Sequence, residues 1–365
     1  MSGPRPVMIM AGGTGGHIFP GLAVAEVLRA RAVPVVWLGA AGALETRLVP
    51  ARGIDLVTLP VRGVRGKGWG ARLAAPWMLT RALLSAWRAL RRLRPRSVLA
   101  LGGYAAGPGG LAAFLQRVPL VVHEQNALPG VTNRVLARLA RRVLAGFPGA
   151  LPRAEWVGNP VRAAIAALPP PEVRFTARAG RARLLVLGGS QGAHALNLVL
   201  PAALALLPAA QRPEVWHQCG AQGLDAARAA YSQVGIAARI EPFIEAMEQA
   251  YAWADLAVCR AGALTLAELA AVGLGAVLVP YPYAVDDHQT RNAQVLVRAG
   301  AARLLPESTL DAVTLAALLG ALLGALLEAP AQRLHMARAA RVQARPQAAA
   351  HIADICLGPG PEVAP

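Results

Sequence analysis

The sequence predicts an α/β protein built from two doubly wound domains that face a cleft. Three observations carry that prediction: the chain's length, an alternation of strand-length apolar runs with helical patterns, and a strand, glycine-loop and helix unit that occurs twice. At 365 residues the chain exceeds one comfortable hydrophobic core and suits two. Hydrophobic residues make up 55% of it and charged ones 16%, which predicts a well-buried globular chain and excludes wholesale disorder.

The repeated unit is VMIMAGGTGGHIFPGLAVAEVL at 7–28 and LLVLGGSQGAHALNLVLPAAL at 184–204. Each has an apolar strand, Gly-Gly, a hydroxyl residue, another glycine, a histidine and a helical run. In the first half, strands are expected at 7–10, 33–38, 97–101 and 120–123, with a helical pattern over 22–31. The stretch GNPVRAAIAALPPPEVRF (158–175), with its triple proline, ends that pattern and sets the domain boundary. Further strands follow at 214–218, 238–240, 256–259 and 276–279. The expected domains are therefore 1–160 and 161–340. A C-terminal helix over 341–357 should pack back on the first domain, ahead of a disordered tail, GPGPEVAP, at 358–365.

The formal net charge is +17, and Lys67 is the only lysine. The basicity is local. No acidic residue lies between Asp55 and Glu124, whereas Arg62, Arg65, Lys67, Arg72, Arg81, Arg88, Arg91, Arg92, Arg94, Arg96 and Arg117 all do. That interval is a candidate surface for a phosphate-rich partner, nucleic acid or an anionic membrane. Cys219, Cys259 and Cys356 are odd in number and form no CxxC pair, which speaks against a disulfide framework or zinc site and for a reducing compartment. The start, MSGPRP, does not read as a signal peptide. The longest uncharged apolar stretch, 312–327, falls short of the ~18 to 20 residues of a spanning helix.

The loop AGGTGGHIFP (11–20) invites a dinucleotide fingerprint. Gly13 and Gly15 fit it, but Ile18 stands where the third glycine belongs, and no acid closes the second strand near Leu38. A nicotinamide- or flavin-dependent oxidoreductase is disfavoured on that ground. A glycine loop feeding a helix start still binds anions, through unpaired first-turn N–H groups and the helix dipole. A tight turn alone explains one or two glycines, not four in five positions. His17 ends the loop facing the expected cleft, where an imidazole suits base chemistry near neutrality; His194 in the matching place leaves open that both are helix-start residues.

The second loop, GGSQGA (188–193), offers amides and the Ser190 hydroxyl to a diphosphate. In CRAGALTLAELAAVGLGAVLVPYP (259–282), Glu268 lies two turns into an apolar helix and needs a partner, either ribose hydroxyls or an arginine. DDHQTRNA (286–293) matches no metal-ligand spacing and suits polar reading of a sugar. HEQNALPG (123–130) sets four hydrogen-bonding side chains at a strand's carboxyl end, a pattern poor for a core and apt for a site.

At about 100° per residue, a helix over 70–93 puts Arg81, Arg88 and Arg92 on one line and Leu79, Leu83, Ala86 and Leu90 on the opposite, core-facing line. Trp77, Leu84 and Trp87 flank the arginines, which favours insertion among anionic headgroups. Nucleic acid is the disfavoured partner, because no reading module or aromatic platform accompanies the charge.

Taken in order and spacing, GGTGGH, GGYAAGP (102–108), HEQN (123–126), GNPVR (158–162), GGSQGA, RAGALTLAE (260–268) and DDHQTRNA resemble the bacterial transferases that make lipid II, over about residues 7–356. The resemblance implies two Rossmann-like domains of the GT-B glycosyltransferase type. It also implies inverting transfer of N-acetylglucosamine from its UDP donor to the C4 hydroxyl of undecaprenyl-diphospho-N-acetylmuramyl-pentapeptide, without cofactor or metal. In the carboxyl-terminal domain it places the Ile244 main chain at uracil, Glu268 on the ribose hydroxyls, and Arg162 and Ser190 near the diphosphate. The helix start Ala263, Leu264, Thr265, Leu266 and Ala267 would meet diphosphate or sugar, and Gln289 the sugar hydroxyls. From the other domain, Thr14, Gly15, Gly16 and Asn126 would reach donor sugar or acceptor, and Gly13, Gly103 and Tyr104 the acceptor diphosphate. His17 is the expected base, with Glu124 as alternative base or orienting group. Trp77, Arg81, Leu84, Trp87 and Arg88 would rest on the anionic inner membrane from its cytoplasmic face, beside other cell-wall synthesis and division proteins. Two departures, Ala261 for the usual Ser and Gly275 for a frequent Pro, remove no donor group. Within the transferases, a glycolipid synthase using a UDP-sugar and diacylglycerol is the nearest rival.

Overall fold

A computed structural model describes residues 4–61, 69–176, 178, 180–189, 192–328 and 330–358. The chain forms two units, one of Met1–Val161 with Arg345–Pro365 and one of Arg162–Ala344.

The first unit holds seven strands: β1 (Val7–Ala11), β2 (Val35–Ala40), β3 (Asp55–Leu59), β4 (Ser97–Gly102), β5 (Leu120–Glu124), β6 (Arg142–Ala145) and β7 (Glu155–Trp156). They pair in parallel in the order β3-β2-β1-β4-β5-β6-β7. Every residue of β1, β2, β4 and β5 is buried, as a parallel sheet covered on both faces requires. Side chains alternate between the two faces. Val7, Ile9 and Ala11 join Trp37, Leu99 and Leu101 in one core, while Met8 and Met10 join Leu38, Val98 and Ala100 in the other.

Helix Gly15–Ala30 and the last helix, Ala348–Leu357, cover the first face, contributing Ile18, Leu22, Ala25 and Leu28, and Ile352, Ala353 and Cys356. Ser97 Oγ donates to the Cys356 carbonyl at 2.6 Å, and Arg96 Nη2 to the Leu357 carbonyl at 2.8 Å. Helices Trp69–Leu93 and Ala106–Leu115 cover the second face. The stripe that Trp69–Leu93 buries runs through Met78, Ala82, Ala86, Ala89 and Leu90. Leu79, expected on the core line, is instead exposed, because Met78 occupies that face one residue earlier.

The second unit holds β8 (Arg183–Leu187), β9 (Glu214–Gln218), β10 (Arg239–Glu241), β11 (Leu256–Cys259), β12 (Ala276–Leu278) and β13 (Ala302–Leu304), parallel in the order β10-β9-β8-β11-β12-β13. Helix Pro330–Val342 carries this unit past residue 340, so the chain returns to the first unit at Arg345, four residues later than the sequence pattern suggests. Of the expected tail, residues 359–365 lie outside the described residues.

In each sheet the strand order reverses once, between β1 and β4 and between β8 and β11. Open α/β sheets bind ligands outside the strands' carboxyl ends at such reversals. The loops there are 12–14 and 103–105 in the first unit, and 188–193 and 260–262 in the second. Among the described residues, no helix is long and apolar enough to cross a membrane.

Candidate functional site

In the first unit the glycine loop rests on a carboxylate. Glu45 is fully buried, and its Oε2 accepts from Gly13 N at 3.0 Å while Oε1 accepts from Ala40 N at 2.8 Å. A Cβ on Gly12 would lie 2.1 Å from Glu45 Oε1, and one on Gly39 2.6 Å from Glu45 Cγ, so both glycines clear space for that side chain. The Gly13 amide is therefore taken by Glu45. The amides that precede the first intrahelical bond are those of Gly15 and Gly16, since His17 N and Ile18 N already bond the Thr14 carbonyl at 3.1 and 3.2 Å. Ile18, which breaks the dinucleotide fingerprint, is a fully buried core residue.

His17 is half-buried, and its ring packs against the end of β4. Gly102 there has φ +116°, and a Cβ on it would come within 2.9 Å of His17 Cε1. Gly103 has φ +86°, and a Cβ would meet the Gly12 carbonyl oxygen at 2.3 Å. Only glycine allows the two loops to approach so closely. Tyr104 follows, 50% exposed. His17 Nδ1 lies 2.8 Å from Gln125 Oε1.

The polar cluster after β5 differs from expectation. His123, Glu124 and Gln125 are buried, not displayed, because they satisfy one another and the loop backbone. Glu124 Oε1 accepts from Asn126 N at 2.9 Å and Asn126 Nδ2 at 3.3 Å. Its Oε2 accepts from Gly130 N at 3.1 Å and Asn133 Nδ2 at 2.9 Å. Both carboxylate oxygens thus accept from the 126–133 turn. Burial holds the His123 imidazole down to about 4, against a backbone bond to Gly158 that works the other way.

In the second unit, Glu268 and Arg162 come together directly. Arg162 Nη2 lies 3.1 Å from Glu268 Oε1, and Tyr251 OH donates to Glu268 Oε2 at 2.9 Å. Burial raises the Glu268 carboxyl above its ordinary value, opposed by Arg162 and the Tyr251 hydroxyl. Helix Ala263–Val272 begins beyond β11 with Gly262 as its N-cap. Leu266 N bonds the Gly262 carbonyl at 3.0 Å and the Leu266 side chain is buried. Among the described residues, the amides of Ala263, Leu264 and Thr265 precede the first helical bond, which Leu266 N makes, and Ala267 follows it. Gln289 Oε1 accepts from Ala261 N at 3.2 Å and Tyr281 N at 2.9 Å, bracing the loop after β11. Ile244 has a buried side chain. Ser190 lies outside the described residues.

On helix Trp69–Leu93, Trp77 is 65% and Leu84 49% exposed, and the Arg81 guanidinium lies 4.5 Å over the Trp77 ring. Arg88 is exposed and Trp87 half-buried. The neighbouring helix adds exposed Leu111, Phe114 and Leu115, which the sequence pattern did not single out.

Residues 7–145 match the glycosyltransferase family 28 N-terminal domain, and 183–352 the C-terminal domain of the same family. The chain is 59% identical over 354 residues to the UDP-N-acetylglucosamine–N-acetylmuramyl-(pentapeptide) pyrophosphoryl-undecaprenol N-acetylglucosamine transferase of Xylella fastidiosa, covering 97% of this chain and 96% of that one. It is 61% identical over 355 residues to the protein of the same name from Xanthomonas campestris, covering 97% and 82%. The crystal structure of Acinetobacter baumannii MurG superposes with a TM-score of 0.83 at 40% identity, over 97% of this chain and 99% of that one. CalG4, the calicheamicin glycosyltransferase, shares the fold at 18% identity, with a TM-score of 0.66 over the full length of both chains.

Proposed function

The chain belongs to glycosyltransferase family 28, and from that premise we infer that it moves N-acetylglucosamine from UDP-N-acetylglucosamine to undecaprenyl-diphospho-N-acetylmuramyl-pentapeptide, converting lipid I to lipid II. The observation that carries this is 59% identity over 97% of the chain to a transferase named for that reaction. Inversion requires the acceptor O4 to attack the anomeric carbon as UDP leaves. The acceptor hydroxyl must lose a proton, and the departing diphosphate charge must be stabilised.

The residues divide between those two needs. His17 takes the proton, since its Nε2 makes no hydrogen bond among the described residues while Nδ1 is held by Gln125. In the second unit, ribose hydroxyls donate to Glu268 in place of Arg162, and the released guanidinium turns to the diphosphate. The pair already formed between these two side chains supports that exchange. Helix Ala263–Val272 directs the amides of Ala263, Leu264 and Thr265, and its dipole, at the same charge. Gln289 has its Nε2 left to donate to the sugar, and Asn126, Thr14, Gly15 and Gly16 serve the sugar or acceptor. Incubating the protein with UDP-N-acetylglucosamine and a lipid I analogue should release UDP only when the analogue is present. Release that ignores the analogue would overturn the assignment.

The first unit also docks peripherally on anionic lipid at a cytoplasmic membrane face, through Trp77, Arg81, Leu84 and Arg88. The support is an exposed tryptophan and leucine beside arginines on one helix. Trp77→Ser with Leu84→Ser should weaken sedimentation with phosphatidylglycerol vesicles about tenfold, as expected for roughly 1.4 kcal/mol of lost contact. Undiminished binding would move the surface elsewhere.

A further inference from the structure

We propose that Gln125 is a positioning residue that fixes which nitrogen of His17 is free: a one-way hydrogen-bond chain from the Gly158 carbonyl through His123 and Gln125 leaves the lone pair on His17 Nε2. The inference rests on the reading of His17 as base and adds to it a determinant of that base's tautomer.

The chain is decided at its far end. His123 is fully buried and lowered to about 4, so near neutrality it carries one ring proton. Its Nε2 lies 2.9 Å from the Gly158 carbonyl oxygen, which only accepts, so the proton is on Nε2 and Nδ1 is bare. The Gln125 atom 3.1 Å from that bare nitrogen must donate, which makes it the amide nitrogen. The second amide hydrogen is also placed, at 3.0 Å from the His123 carbonyl. Oε1 therefore turns toward His17 Nδ1 at 2.8 Å, and because a carbonyl cannot donate, Nδ1 of the neutral ring carries the hydrogen.

Neighbouring groups hold each link in place. Asn159 Nδ2 donates to the Gln125 main-chain carbonyl at 2.9 Å, and Asn133 Nδ2 to that of His123 at 3.3 Å. Gly102, lacking a side chain, leaves the His17 ring its seat. A free neutral imidazole exchanges its proton between both nitrogens, so a protein that needs one of them bare must spend a contact on the other. Here the contact is a neutral amide whose direction is set by a buried histidine two residues earlier in the chain.

The test uses the full-length protein with 15N-labelled histidine and two-bond proton–nitrogen correlation spectra, which report the tautomer directly. Wild type should show His17 protonated at Nδ1. Gln125→Leu removes the acceptor, and His123→Phe removes the group that orients the amide without touching His17. Both should show mixed tautomers at His17 and a kcat lower by about 10- to 100-fold, with KM for UDP-N-acetylglucosamine within about twofold. Circular dichroism identifies any variant that fails to fold, and the wild-type spectrum decides the proposal without one. Wild-type His17 protonated at Nε2, or folded Gln125→Leu and His123→Phe proteins with unchanged kcat, would overturn it. Turnover by His17→Ala would undo the base reading alone, because the spectrum tests the hydrogen-bond chain separately.

Discussion

His17→Ala should lower kcat by about 10²- to 10⁴-fold while KM for UDP-N-acetylglucosamine stays within about twofold, the signature of an interaction made in the transition state. The size follows from the role: without the imidazole, the acceptor hydroxyl gives its proton to water as the glycosidic bond forms. The selectivity follows from where the residues reside. His17 is in the first unit, whereas Arg162, Glu268 and Gln289 are in the second, so the proposed uridine and diphosphate contacts survive the substitution. Steady-state kinetics in both substrates, with donor binding measured by calorimetry, checks both halves. A variant that turns over at near the wild-type rate removes His17 from the mechanism. One that loses donor affinity as well makes it a binding residue.

Glu124→Ala should act on stability first, costing about 3 kcal/mol, because the lost carboxylate strands donors that it now satisfies at about 1 to 3 kcal/mol for each one left buried. The amides of Asn126 and Gly130, in the turn that presents Asn126, lose their carboxylate acceptor outright, whereas Asn133 Nδ2 gives up its shortest bond and keeps the Leu101 and His123 carbonyls at 3.3 Å. Urea unfolding of the full-length protein should show a first-unit transition at lower denaturant, and residual activity at low temperature should follow the folded fraction. If Glu124→Ala unfolds like wild type yet loses kcat as His17→Ala does, Glu124 is the base instead.

Much of the fold is legible in the sequence because its central strands and covering helices obey simple periodicities. The strands that pattern misses are β3, β6, β7 and β13, which lie toward the sheet edges, where a run such as Asp55–Leu59 is half-exposed and loses its apolar signal. The doubled glycine loops are legible as turns, and their position at the strand-order reversals follows once the sheets are known. What supports those loops is not legible. Glu45 lies 32 residues from Gly13, and nothing in its surroundings marks it as the loop's hydrogen-bond acceptor. The HEQN run misleads in the opposite direction: four polar side chains look like surface until their bonds to one another, to Asn133 and to Gly158 show how a core can hold them. The doubled glycine 102–103 is the available signal for a backbone pressed against His17, and Gln125, the residue bonded to that ring, stands inside the HEQN run.

The last helix gives this architecture an order in time. The core of the first unit includes Ile352, Ala353 and Cys356, so the sheet that leaves the ribosome first has one apolar face only partly covered, by helix Gly15–Ala30, until the whole intervening unit has been translated. At ordinary elongation rates that wait is on the order of ten to forty seconds. The second unit, an uninterrupted stretch, has every residue it needs before then. A message cut shortly after codon 344 would spare it and cost the other, so the part of the enzyme that begins the chain is the last to be finished.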